Sequence, residues 1–139
     1  MIAAPFLITQ RDGVTTAVEQ LHVVPMHIVL PFPSSKLAGH SKGTHWSTSK
    51  VVATHRADAF HATRKARLGP MPAKGDIAIE VHFYPPDKRG DRVNFPNRMK
   101  AYFDGVAEAL GVNDSRFLPS YHFYAPGKPG QVVLKVRPL

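Results

Sequence analysis

Apolar and polar positions alternate most clearly over residues 76–84. Ile77, Ile79, Val81 and Phe83 fall on one face, and Glu80 and His82 on the other. That period of two predicts a half-buried β-strand, ended by Pro85-Pro86. Met26-His-Ile-Val-Leu30 reads as a shorter strand, stopped by Pro31 and Pro33. A helical stripe follows. Val51, Val52, His55, Ala59 and Phe60 predict a helix over 47–67, with Ser47 as its cap and Gly69-Pro-Met-Pro72 as its breaker. A second helix is predicted from near Asn94 to Leu110. Met99, Phe103, Val106 and Leu110 have helical spacing, Asn94 can cap, Pro96 suits a first turn, and Gly111 suits the stop. Residues 131–137 read as a last strand after a turn containing Pro126, Gly127, Pro129 and Gly130. Residues 1–22 show no periodicity. The chain therefore divides into an N-terminal extension, 1–25, and one domain, 26–139. The order β-α-β-loop-α-β predicts an α/β (α+β) fold: a small mixed β-sheet with packed helices.

Composition narrows the function. A chain of 139 residues with a formal net charge of +8 and pI near 10.1 favours a polyanionic partner. The absence of Cys excludes disulfides, cysteine nucleophiles and thiolate zinc sites. No apolar run reaches the roughly 20 residues of a membrane span. The N-terminus lacks the basic start and apolar centre of a signal peptide. These features predict a cytoplasmic protein with no membrane partner. Residues 34–46, rich in Ser, Gly, Lys and His, read as an exposed basic loop.

Acidic residues are scarce, 10 in all, yet Asp91, Asp104, Glu108 and Asp114 fall within 27 residues, 91–117. Carboxylates gathered in a basic protein suit a divalent cation held against a phosphate. Lys100 and Asp104, at i and i+4, share a helix face. They read either as an ordinary surface ion pair or as a cation placed on a scissile phosphate beside an outer carboxylate. The eight His are scattered, with no zinc-protease spacing. His40 and His45 read as phosphate contacts or solvent-facing groups, and Trp46 as a packing anchor. Phe95, Tyr102 and Phe103 read as core. A basic RNA-binding module would explain the charge but not the clustered carboxylates.

Several motifs occur in a telling order. Leu30-Pro-Phe-Pro-Ser-Ser35 is a strand end with a Pro-rich turn, followed by the basic loop and first helix. Phe83-Tyr-Pro-Pro-Asp-Lys-Arg89 is a strand end before a basic run. Then come Asp91-x-x-Asn94, Lys100, Asp104-Gly and Asn113-Asp114-Ser115. Over residues 26–137 this order resembles the RusA family of Holliday-junction resolvases, common in phages and prophages. The resemblance implies a homodimeric, Mg²⁺-dependent endonuclease that cuts branched DNA, the four-way junction, symmetrically. It implies Asp91 and Asp114 as metal ligands, with Asp104 as a further candidate, Lys100 on the phosphate, and Mn²⁺ able to substitute. Lys36, Lys42, Lys50, Arg56, Arg89, Arg92 and Arg98 are the expected DNA contacts. One departure stands out. The family shows Asp-x-Asp-Asn, whereas this chain reads Asp91-Arg92-Val93-Asn94, so one carboxylate is replaced by Val93. Aligning the motif Asn on Asn97 instead would put Asn94 and Pro96 at both Asp positions. The alternative function is thus a DNA-binding protein with weak or no nuclease activity. A helix over 95–110 would be roughly 22 Å long. Asp91 and Asp114 would then share a metal only through a shorter helix, a chain that folds back, or a second subunit.

Overall fold

A computed structural model describes residues 26–37 and 45–139. It is a single small α+β domain, a four-stranded mixed sheet with helices on one face. The strands are β1 (Met26–Pro31), β2 (Ile77–Tyr84), β3 (Phe117–Phe123) and β4 (Gln131–Pro138). Their spatial order is β1-β4-β2-β3. β4 lies antiparallel to both β1 and β2, and β2 runs parallel to β3. The helices are α1 (His45–Ala66) and α2 (Lys100–Leu110).

Alternation decides which face is covered. Ile28 and Leu30 of β1, Ile77, Ile79, Val81 and Phe83 of β2, and Val132, Leu134 and Val136 of β4 are buried together with Met99, Tyr102 and Val106. The even-numbered positions of β2 and the odd-numbered positions of β1 and β4 therefore form the other face, which no helix covers. Leu118 and Val29 are 49% and 55% exposed there.

The two helices cross closely because the contact is built from small residues. Gly105 of α2 faces Ala59 of α1, and a Cβ at position 105 would come within 2.2 Å of the Arg56 carbonyl oxygen. Thr63, also buried, satisfies its hydroxyl by donating to the Ala59 carbonyl at 2.7 Å. Lys50, Arg56, Arg64 and Lys65 are left to solvent. At its end α2 stops as expected. Gly111 takes a left-handed φ of 68°, and Val112 N–H donates back to Ala107 at 3.0 Å.

The Pro-rich turn after β1 is clamped from three elements. Tyr102 of α2 donates its hydroxyl to the Pro31 carbonyl at 2.7 Å. Arg98 donates to the Pro33 carbonyl at 3.2 Å. Ser34 N–H donates to Nε2 of His55 on α1 at 3.1 Å. The His55 ring also stacks on Tyr102, centroids 4.7 Å apart, and burial lowers its pKa. Desolvation likewise pushes the Tyr102 hydroxyl well above the ordinary tyrosine range.

Two expectations are corrected. The second helix does not begin near Asn94. Residues Arg92–Arg98 form a 3-10 helix containing Pro96, and α2 opens only at Lys100. Pro96 lacks an N–H and disfavours helical geometry at Phe95, so the segment takes a tighter, separate turn. The hydrophobic pattern also does not predict β3. That strand sits on the sheet edge and carries Pro119, which an edge tolerates because one side of its backbone needs no partner. The observed order is β-α-β-α-β-β. Phe95 and Tyr102 are buried, and Phe103 packs against the core, as read. The extension 1–25, Lys42 and His40 lie outside the described residues, as do the side chains of His45 and Trp46.

Candidate functional site

The acidic segment folds back along α2. After Gly111 the chain reverses, and a short 3-10 turn, Asp114–Arg116, begins with Asn113 as its cap, whose side chain accepts from Ser115 N–H. Arg116 ties this turn to the loop before β2, donating to the carbonyls of Gly75 and Pro72 at 2.8 and 2.7 Å. The reversal brings Asp114 to the side of α2 that carries Lys100 and Asp104. The Lys100 ammonium bonds Asp104 at 2.9 Å and also bonds Asp114. Both carboxylate side chains are about one-third exposed and Lys100 is mostly exposed. The hydrogen bond from Lys100 holds the Asp114 carboxyl below the ordinary range. The same bond, with a second donated to Asp104, raises the Lys100 pKa.

Asp91 is placed differently. It caps the 3-10 helix Arg92–Arg98, accepting from Val93 N–H at 3.1 Å, while its carbonyl accepts from Asn94 N–H at 2.9 Å. Among the described residues, Asp91, Asp104 and Asp114 do not bring three ligand atoms within 4.8 Å of one another. Val93 is 79% exposed.

The expected DNA contacts divide into three kinds. Lys36, Lys50 and Arg92 are exposed. Arg56 is paired with Glu108 at 3.0 Å, and Arg89 with Asp87 at 2.8 Å. Arg98 is buried against Phe32 and Phe95, its guanidinium carbon 5.8 and 5.1 Å from their ring centres, and its Nε has no partner. Two shallow clefts flank the Lys100 cluster. One, of about 270 Å³, is lined by Lys36, Thr48, Asn97, Arg98, Lys100 and Asp104. The other, of about 460 Å³, is lined by Arg56, Asp104, Glu108, Asn113 and Asp114.

A second group of polar side chains, including two histidines far apart in sequence, lies on the open face of the sheet. Glu80, His82 and His122 bring their ligand atoms within 4.8 Å of one another, a set able to hold a metal ion. Glu80 and His82 are two apart on β2, and His122 is paired directly with His82 in the parallel register. His82 Nε2 lies 3.0 Å from Glu80 Oε1, and His82 Nδ1 lies 2.7 Å from the Tyr124 hydroxyl. The rings of His82 and His122 stack at 4.6 Å. The bond to His82 lowers the Glu80 pKa, with a smaller contribution from Lys135, its cross-strand neighbour on β4. The alternation of residues 76–84 already placed Glu80 and His82 on one face. What was missing was β3, and with it the third ligand.

No helix among the described residues is long and apolar enough to cross a membrane. No protein-family model matches the chain. An uncharacterized protein of Xylella fastidiosa (strain Temecula1 / ATCC 700964) is 36% identical over 95 residues, which cover 66% of this chain and 61% of that protein. The chain thus matches less than two thirds of that relative's length.

Proposed function

We propose that this domain is a RusA-like, Mg²⁺-dependent endonuclease acting on branched DNA. The observation that carries the reading is the Lys100 ammonium shared by Asp104 and Asp114 between two surface clefts with basic residues in their walls. Asp104 and Asp114 are hard oxygen donors, suited to a cation that keeps several waters. A bound Mg²⁺ would polarise a phosphodiester and lower the pKa of an attacking water. Lys100 then exchanges its carboxylate partners for the phosphate and offsets charge that develops there. Lys36, Lys50 and Arg92 hold the flanking backbone, and Arg56 joins them by releasing Glu108. A four-way junction has two equivalent strands to cut, so a two-fold homodimer suits the substrate. Light scattering with and without DNA tests that.

One observation favours a second reading, a junction-binding protein with little cleavage. Asp91 is engaged as a helix cap, and the exposed Val93 stands where the family has its second carboxylate. A labelled four-way junction, a duplex and a structured RNA, each with and without Mg²⁺, separate the readings. Paired metal-dependent nicks in the junction alone support the nuclease. Tight junction binding without nicks supports the second reading, and preference for the RNA sinks both. Asp114→Asn is expected to abolish cleavage and spare binding. Asp91→Asn reads the remaining ligand position: loss of cleavage places Asp91 at the metal, whereas normal cleavage restricts the site to Asp104 and Asp114. Val93→Asp lowers the Mg²⁺ needed for half-maximal cleavage if position 93 adjoins the metal.

A further inference from the structure

The open face of the sheet carries a donor set unlike that around Lys100. Three ligand atoms converge there, two imidazole nitrogens and one carboxylate oxygen. All three side chains stand on paired strands, so their spacing is fixed by the β2–β3 ladder rather than by a loop. His82 is only 7% exposed, at the base of the group, while His122 is exposed and Glu80 is partly so. An ion can therefore enter from solvent and meet a preorganised buried nitrogen.

We propose that Glu80, His82 and His122 form a binding site for a borderline divalent cation of the Zn²⁺ class, on the sheet face opposite the Lys100 cluster. The inference does not rest on nuclease activity. Nitrogen-rich donor sets suit Zn²⁺, Ni²⁺ or Cu²⁺, whereas Mg²⁺ selects carboxylates and water. Lys135, paired with Glu80 across β4, and His27, paired with Lys135 on β1, put further basic groups on this face. A hard cation that relies on net negative charge gains little there. Zn–N and Zn–O bonds are roughly 2.0–2.2 Å, so the ligand atoms must draw together from their present spacing. The exposed His122 ring is the one free to turn. Three protein ligands leave a fourth position for water or a small anion.

Tyr124 makes the arrangement adaptable. Metal-bound histidines almost always donate their second ring N–H to a partner that fixes the tautomer. Without metal, neutral His82 satisfies both contacts if Nε2–H donates to Glu80 and the Tyr124 O–H donates to Nδ1. With metal at Nε2, that nitrogen gives its proton to solvent and Nδ1 takes one up. The imidazole stays neutral, and Nδ1–H now donates to the Tyr124 oxygen. A hydroxyl can fill either role by rotating about its C–O bond. Tyr124 is held for this by stacking on Tyr84, centroids 4.4 Å apart and planes 7° from parallel.

The test is calorimetric titration of the full chain with Zn²⁺ and with Mg²⁺, for wild type, His122→Ala, Glu80→Gln, Tyr124→Phe and Asp114→Asn. His122 and Glu80 face solvent, so these variants keep the core intact. The expected result is one Zn²⁺ site that His122→Ala and Glu80→Gln remove and Asp114→Asn leaves unchanged. Tyr124→Phe should weaken it by about 10- to 100-fold. Nitrogen-15 NMR of the imidazoles should show His82 protonated at Nε2 without metal and at Nδ1 with Zn²⁺. Zn²⁺ binding that survives both His122→Ala and Glu80→Gln would place the ion on other histidines and overturn the proposal. So would a His82 tautomer that ignores Zn²⁺, or a wild-type chain that binds none. Loss of junction cleavage in Asp114→Asn, with Zn²⁺ binding intact, would separate the two sites.

Discussion

Lys100, Asp104 and Asp114 stand on the outside of the helical layer, on a helix and a following 3-10 turn, with their charged ends in water. Glu80, His82 and His122 stand across the sheet, on strands, around a ring that is nine-tenths buried. The first group is an exposed ion-pair network, worth little to stability and able to exchange partners quickly. The second is held by strand register and by the buried His82 ring, so only the exposed His122 ring has to turn for a ligand. Both are polar clusters of three. The difference is who bears the cost of ordering: solvent-facing Lys100 must be ordered when a ligand arrives, whereas His82 was ordered when the sheet folded.

The sharpest way to break this comparison is to disturb the layer under the first cluster without touching the second. Gly105→Ala drives a methyl group into the Arg56 carbonyl and the Ala59 side chain, where the backbone of α1 cannot yield. A destabilisation of about 3 kcal/mol is expected, read by urea unfolding. The Lys100 clefts should be lost first, because Arg56 and Asp104 flank this crossing. If the variant melts like wild type, the close helix contact is wrong.

Tyr102→Phe has a smaller expected effect. It removes the hydroxyl that satisfies the Pro31 carbonyl and leaves that acceptor unpaired beneath the helices. The loss should be roughly 1–2 kcal/mol. Tyr84→Phe, on the open face, should change unfolding by less than about 0.5 kcal/mol. Equal effects from the two would show that the clamp on the Pro-rich turn does not distinguish the faces.

How far the sequence disclosed this depended on whether a signal was local. The alternation of Ile77, Ile79, Val81 and Phe83, the stop at Gly111 and the break at Pro31 are local, and each was legible. Pro96 suits the first turn of α2, yet it sits in a separate 3-10 helix, because a proline fits both and only packing chooses. β3 lacked a clean pattern, since an edge strand with Pro119 obeys weaker rules. The meeting of Lys100 with Asp104 followed from i, i+4 spacing. Its meeting with Asp114 needed the chain reversal after Gly111. His122 could not be assigned to Glu80 and His82 without the parallel register, which no single-strand pattern contains.

His55 supplies a pH-dependent prediction. Its Nε2 accepts from Ser34 N–H, so protonating that nitrogen breaks the bond and charges a ring stacked under Tyr102. Burial depresses its folded pKa, with Asp58 acting weakly in the opposite sense. The unfolded chain therefore binds the proton more readily. Its contribution is fully present above the unfolded value of 6.5 and is lost as pH falls through that value toward the folded one. Melting temperature should drop between pH 7.5 and 5.5, and His55→Gln should show a smaller drop. His27 on the open face shifts in the same direction, so the comparison between variants carries the test. An undiminished drop in His55→Gln would assign the effect elsewhere.

The cluster most important to the proposed chemistry should contribute little to stability. Lys100 has a raised pKa and Asp114 a lowered one, each mainly from their shared hydrogen bond. The stabilisation tied to Asp114 is present above its unfolded value of 3.8 and lost on acidification below it; that tied to Lys100 is present below 10.5 and lost on raising the pH above it. Between those limits the pair is intact, yet solvent screens it, because Lys100 is 72% exposed. Lys100→Gln should therefore cost less than about 1 kcal/mol at pH 7. It also frees two neighbouring carboxylates from their cation, which raises the local negative charge and should strengthen Mg²⁺ binding there. If Lys100 offsets phosphate charge, the same variant loses cleavage even as it holds metal more tightly. Titrating Mg²⁺ against unfolding midpoint and against junction cleavage in parallel reads both consequences. Tighter metal with normal cleavage would reduce Lys100 to a surface ion pair, and weaker metal would show that its ammonium orders the two aspartates rather than competing for them.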